Sequence, residues 1–358
     1  TRMKISIIIT LTILLMLEVA PLLAAPSAVV LTYHRVGEDD VPSTNVRIEQ
    51  FEQQLDYLEQ NDFAVWPLGK ILNALSNGET LPNRTVAITL DDAYLSIYTE
   101  AFPRLQKRGF PFTVFVATDA VDKGYSRYMS WQQLREMKAA GVEIANHSKS
   151  HPYMVRRLPG EDTATYQLRL KNEIVSAQQR LEKELGPQPK LFAYPYGEYS
   201  KEVEEVVNSL GYVAVAQHSG AIDQQSNFLA LPRFPINEHY SDINDVATKL
   251  KSRPLAIKSL SINDPLWLES TPPRLEVVLA DEVEGIGELA CYASGQGRME
   301  IEWLDKQAGK FSIQAAKPLS VGRHRYTCTA PDGERRYQWF SHLWIVNPSQ
   351  PNSSDHTE

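Results

Sequence analysis

The sequence predicts an α/β fold, a β/α barrel, followed by a small all-β domain, and three observations lead there. Between about residues 29 and 235, short apolar runs alternate with segments of helical period. After Ile257 the helical periods stop, and short strand-like runs follow, separated by Gly, Pro and Asp. At 358 residues the chain also exceeds what one hydrophobic core usually serves, so two domains are expected.

Taken in order, Arg2 and Lys4 precede an apolar run from Ile5 to Leu17, and small residues and prolines continue to Ala28. That is the layout of a secretory signal peptide over residues 1–28, with Met3 as the expected natural start. The run is shorter than the roughly 20 residues a spanning helix needs, so no stable membrane anchor is expected and the protein reads as exported, periplasmic or extracellular. Residues 29–257 then form the α/β domain. Val29–Tyr33, Thr85–Leu90, Phe112–Ala117, Val142–Ala145, Leu191–Tyr194 and Tyr212–Ala216 read as buried strands. Phe51, Leu55 and Leu58 mark a helix between them, as do Trp131, Leu134 and Met137 behind a Ser130 cap, and the charged amphipathic stretch Thr163–Leu185. Strand and helix in alternation imply parallel βαβ units, in a barrel or a doubly wound sheet, and the barrel is the reading adopted.

Residues 258–348 form the all-β domain. Cys291 and Cys328 are the only cysteines, and in an exported protein such a pair most often forms a disulfide. Trp303 lies a dozen residues after Cys291, and Tyr326 two before Cys328. This order matches the disulfide, core tryptophan and tyrosine corner of an immunoglobulin-like sandwich, with any small disulfide-bridged β-domain as the alternative. The polar residues 349–358 are expected to be disordered. A net charge of −8 argues against a nucleic-acid partner or an anionic membrane surface.

Chemistry-bearing residues fall at strand ends. His34 follows the first strand, Asp91 and Asp92 the second, His147 the fourth, and Pro195 with Tyr196 the fifth. In a β/α barrel the carboxyl ends of the strands share one mouth, so these residues would converge. Singly, each has an ordinary explanation. An Asp pair after a strand is often a turn or cap device. His147 and His151, four apart, share a face on a helical turn and could bind one cation, or could be two surface histidines. Together, two imidazoles and a carboxylate with positions left for water make a catalytic coordination set suited to hydrolysing an unreactive amide. Asp91 and His34 are then available as proton acceptor and proton donor.

Thr89-Leu90-Asp91-Asp92, His147 to His151, and Phe192-Ala193-Tyr194-Pro195-Tyr196-Gly197 resemble the first three motifs of the NodB-like polysaccharide deacetylases, carbohydrate esterase family four. The resemblance implies a distorted β/α barrel with Asp91 as general base, Asp92, His147 and His151 as metal ligands, and the Tyr196 backbone N–H at the oxyanion. It implies one divalent ion, zinc first, with cobalt, nickel or manganese as alternatives. Two departures stand out. Ala193 occupies the position where the third motif usually carries an orienting arginine, and the late Leu-x-His motif that usually supplies the acid is not recognisable after residue 200. Leu31-Thr32-Tyr33-His34-Arg35-Val36 is similar instead to the subgroup acting on poly-N-acetylglucosamine, in which the acid histidine comes from the first strand. His34 is therefore the expected acid, and Arg233 the candidate orienting residue, a plain surface arginine being the alternative. The implied substrate is an amino-sugar polysaccharide. Peptidoglycan, chitin oligosaccharide, an O-acetyl ester, or a non-catalytic carbohydrate-binding role are the other readings, and the all-β domain could contact polysaccharide or a protein. Tyr94, Tyr125, Tyr128 and Tyr199 stay unassigned between sugar stacking and packing.

Overall fold

The computed structural model describes residues 26–281 and 283–346. The expected signal segment, apart from residues 26–28, and the expected disordered tail lie outside the described residues. Six parallel strands follow one another across one sheet: β1 (Ser27–Tyr33), β2 (Thr85–Asp91), β3 (Thr113–Val116), β4 (Glu143–Asn146), β5 (Leu191–Ala193) and β6 (Val213–Val215). β2 is buried along its whole length, as expected for a parallel strand covered on both faces. This is why these strands read as unbroken apolar runs.

The helices between them start and stop where local chemistry dictates. Ser130 caps Trp131–Ala139 with a reciprocal pair, its hydroxyl accepting from the Gln133 N–H and its own N–H donating to Gln133 Oε1. Asp162 caps Thr163–Leu185, and Tyr166, Leu170, Ile174, Ala177 and Leu181 form its buried stripe.

The sheet is a curled half-barrel, not a closed barrel. Where closure would occur, the segment 231–235 spans the gap: Leu231 bridges Val215 of β6, while Phe234 and Pro235 pair with Leu31 and Thr32 of β1. The carboxyl ends of the strands therefore surround one cleft, with Arg233 held on the closing segment. Among the described residues, no helix is long and apolar enough to cross a membrane.

The strand-rich C-terminal region contains a six-stranded and a four-stranded sheet that share one apolar core. In the larger sheet, β7 (Ala290–Ala293), β8 (Gly322–Pro331) and β9 (Tyr337–Val346) are neighbours. The Cys291–Cys328 disulfide is present, but its cysteines are directly opposed on β7 and β8. It therefore links neighbouring strands of one sheet, where the immunoglobulin pattern links two sheets. Trp303 differs as well, being partly buried on the smaller sheet against Phe311, while the fully buried tryptophan is Trp344, packed on Tyr326 and Trp267. Tyr326 ties the sheets together, its hydroxyl donating to Pro273 O and accepting from Ala315 N–H.

β9 joins the two regions. Trp344 and Val346 enter the C-terminal core, while Leu343 and Ile345 pack into the cluster holding Phe192, Tyr194 and Tyr199 of the α/β region. Alternate residues of one strand thus serve two cores.

Candidate active site

Asp91, the last residue of β2, is fully buried, and its charge is met by an equally buried Arg233. The guanidinium forks onto both carboxylate oxygens at 2.8 and 2.7 Å, donates to Thr89 Oγ1 at 3.0 Å, and reaches Ala216 O through Nε at 2.8 Å. Such a bidentate pair fixes orientation as well as charge. Burial would raise the Asp91 pKa, but Arg233 outweighs it, and the carboxyl is held below its usual range.

Asp92 follows in the left-handed region, at φ 74°. Its Oδ1 lies 3.2 Å from His147 Nε2 and 3.3 Å from His151 Nε2, and the three ligand atoms are all within 4.8 Å of one another. The His147 Nδ1 is 2.8 Å from Ala193 O, which fixes Nδ1 as the protonated nitrogen and turns the Nε2 lone pair toward Asp92. That Nε2 is buried and has no hydrogen-bond partner among the described residues, so this donor set fits a divalent cation. Burial pushes the His151 imidazole down to about 4, keeping it neutral as a ligand must be.

His147 and His151 do not share a helical turn. Asn146 Oδ1 accepts from the Ser148 N–H at 2.8 Å, Ser148 and His151 both have positive φ, and Glu173 binds the N–H and hydroxyl of Ser150. These side chains satisfy the backbone groups that a helix would have used, so the segment is a clamped loop. Eight non-glycine residues have positive φ among those described, and Asp92, Ala93, Ser148, His151 and Tyr196 are at this cleft. Each costs on the order of 1–3 kcal/mol, and such strain persists only where surrounding contacts over-determine it.

Tyr196 sits in the turn after β5 at φ 58°, stacked on Tyr153 at 3.9 Å and edge-on to His151 at 4.5 Å. The turn's own bonds are donated by Gly197 and Glu198, which leaves the Tyr196 N–H out of them. Gly197, at φ +69°, lies so close to Gln217 that a Cβ would meet its backbone N at 2.8 Å and its Cβ at 2.5 Å. Gly197→Ala is therefore expected to cost more than about 1 kcal/mol and to lower turnover with it. Thermal melting and kcat check this, and unchanged values for both would refute the steric argument.

His34 completes the cluster. Its ring lies in the field of Asp92, Asp91, Arg233 and His147, and its Nε2 is 3.5 Å from the Gln217 amide. Burial lowers its pKa, and the two carboxylates pull the other way. Asn146, Tyr153, Glu173 and Gln217 are not among the residues singled out from sequence, and Thr89 appears there only within a motif, with no role of its own. The only signals they carried were a polar side chain within a buried strand for Thr89 and Asn146. Of the unassigned tyrosines, Tyr199 is buried against Tyr194, Tyr94 lies buried beneath the Arg35 guanidinium, and Tyr125 is exposed.

A curled parallel sheet with Asp, His and His at its carboxyl edge defines the NodB-like deacetylase fold. IcaB from Ammonifex degensii superposes on it with a TM-score of 0.54 at 28% identity, covering 63% of this chain and 97% of that one. Residues 78–215 match the family model described as Polysaccharide deacetylase. The poly-beta-1,6-N-acetyl-D-glucosamine N-deacetylase of Escherichia coli K12 is 26% identical over 242 residues, 57% of this chain and 36% of that protein. The enzyme of the same name from Staphylococcus aureus MRSA252 is 25% identical over 231 residues, 59% of this chain and 79% of its own length. The chain thus spans little more than a third of the E. coli relative.

Proposed function

We propose that this chain is a metal-dependent hydrolase that removes N-acetyl groups from an N-acetylglucosamine-containing polysaccharide, releasing acetate. The observation that carries the reading is the Asp92–His147–His151 cluster beside an Asp91 clamped by Arg233. Those three residues would hold one divalent ion, zinc first and cobalt, nickel or manganese otherwise, which supplies Lewis-acid polarisation of a carbonyl and a lowered pKa for water.

The remaining roles belong to the chain itself. Asp91, kept ionised and oriented by Arg233, takes a proton from the attacking water. The Tyr196 N–H donates to the oxygen that gains charge as the carbon becomes tetrahedral. His34 delivers a proton to the departing nitrogen; burial opposes the charged ring this needs, and the Asp92 and Asp91 carboxylates favour it. One water is consumed, acetate leaves, and the sugar keeps a free amine.

Both named relatives are called poly-beta-1,6-N-acetyl-D-glucosamine N-deacetylases, so that polymer is the first substrate to test. Peptidoglycan, chitin oligosaccharides and O-acetyl esters are the comparison substrates. The layout of residues 1–28 supports export. Residues 29–257 would be the deacetylase domain and 258–348 an accessory β-sandwich that contacts polysaccharide or a protein. Its immunoglobulin-like assignment keeps two packed sheets as support and loses the inter-sheet disulfide.

The test is acetate release from N-acetylglucosamine oligomers by purified protein. Chelation is expected to abolish release and added zinc to restore it. Full turnover in stripped protein would overturn the metal mechanism, and binding without any acetate release would favour a carbohydrate-binding role.

A further inference from the structure

The C-terminal region reaches the Tyr196 turn through the Arg323 side chain. Arg323 lies at the start of β8, opposite Ile345 of β9, in a ladder of ten paired residues. Ile345 is buried in the cluster that holds Phe192 and Tyr194 on either side of Ala193, the stretch of chain that leads directly into the Tyr196 turn. From this platform the Arg323 guanidinium donates to the Tyr196 carbonyl oxygen through Nη1, and its Nε stands 3.6 Å from the Glu198 carboxylate. Glu198 is itself buried, and its second oxygen has no partner among the described residues.

We infer that Arg323 is a positioning residue for the oxyanion amide, so that the C-terminal region is a working part of the deacetylation centre. The inference rests on the deacetylase reading above. A left-handed tyrosine tends to relax to an ordinary backbone conformation, and that rotation would swing its N–H away from the cleft. The stack on Tyr153 holds the ring, and the bond from Arg323 holds the peptide plane on the carbonyl side. With φ and ψ both fixed, the N–H direction is set before substrate arrives.

Arg323 is 46% exposed, so its loss removes little packing and the variant is expected to fold. The experiment measures kcat, KM and bound metal for Arg323→Met, with acetate release from N-acetylglucosamine oligomers as the assay. Removing a positioning contact is expected to lower kcat about 10–100-fold, while KM and metal content stay within about twofold. Arg323→Gln, too short to make the same contact, is run beside it on the same criteria, so one misfolded variant does not stall the test. A kcat close to wild type, or metal lost in step with activity, would overturn the positioning role. Active wild type with an unaffected Arg323→Met sinks this inference alone. Wild type that releases no acetate with any divalent metal sinks the deacetylase reading and this inference together.

Discussion

Asp91→Asn is expected to lower turnover by about 10²–10⁴, the usual worth of a positioned general base, while the protein keeps its metal. The metal should stay because Asp91 does not belong to the Asp92–His147–His151 cluster. The substitution nonetheless reaches beyond the proton transfer. Asparagine presents one oxygen and one NH₂ where the Arg233 fork needs two acceptors, so one N–H of the fork then faces another donor. Arg233 is fully buried and would keep its charge without a counter-charge, and breaking one side of such a pair typically costs about 3–5 kcal/mol. A lowered melting temperature is therefore expected together with the lost turnover. Metal analysis, melting and kcat on the same preparation separate the two effects. A folded, metal-loaded Asp91→Asn with near-normal kcat would remove Asp91 from the role of base.

Much of the α/β region was legible because its strands are buried on both faces. Apolar runs such as Val29 to Tyr33 cannot be mistaken for solvated surface, and the polar residues that end them stand out. What the spacing could not convey was the local chain path. The interval from His147 to His151 suggests a helical turn, yet Asn146, Ser148 and Glu173 hold a loop that brings the same two rings together. Side-chain bonds to backbone groups override periodicity over so short a stretch.

Arg233 illustrates a different limit. Nothing near it in sequence distinguishes it from a surface arginine, and its contact with Asp91 crosses 142 residues. The contact exists because the segment 231–235 fills the gap between the last strand and the first. In the C-terminal region, the cysteine pairing was legible and the sheet it belongs to was not. A separation of 37 residues fits neighbouring strands of one sheet as well as opposite strands of two. Nor does spacing tell Trp303 from Trp344, since only packing decides which ring is enclosed.

His147→Ala tests the other half of the site, and its expected effect is loss of both metal and turnover. His147 is the most constrained of the three proposed ligands: fully buried, its Nδ1 committed to Ala193 O and its Nε2 without a hydrogen-bond partner among the described residues. Altering a partner behind a ligand typically costs about 10–100-fold in metal affinity, so deleting the ligand itself should exceed the upper end of that range. Alanine also leaves the Asp92 side chain, only 12% exposed, with His151 as the remaining imidazole within 3.3 Å of its Oδ1. Unlike Asp91→Asn, the variant should have a melting temperature that no longer responds to added zinc. Wild-type protein at a hundredfold excess of metal over Kd gains about 2.7 kcal/mol by mass action, enough to show as a clear thermal shift. That shift is read without any substrate, so it tests the ligand assignment even if the polymer is misidentified. A His147→Ala protein that still binds zinc with wild-type stoichiometry and shows the full thermal shift would mean that the cation sits elsewhere.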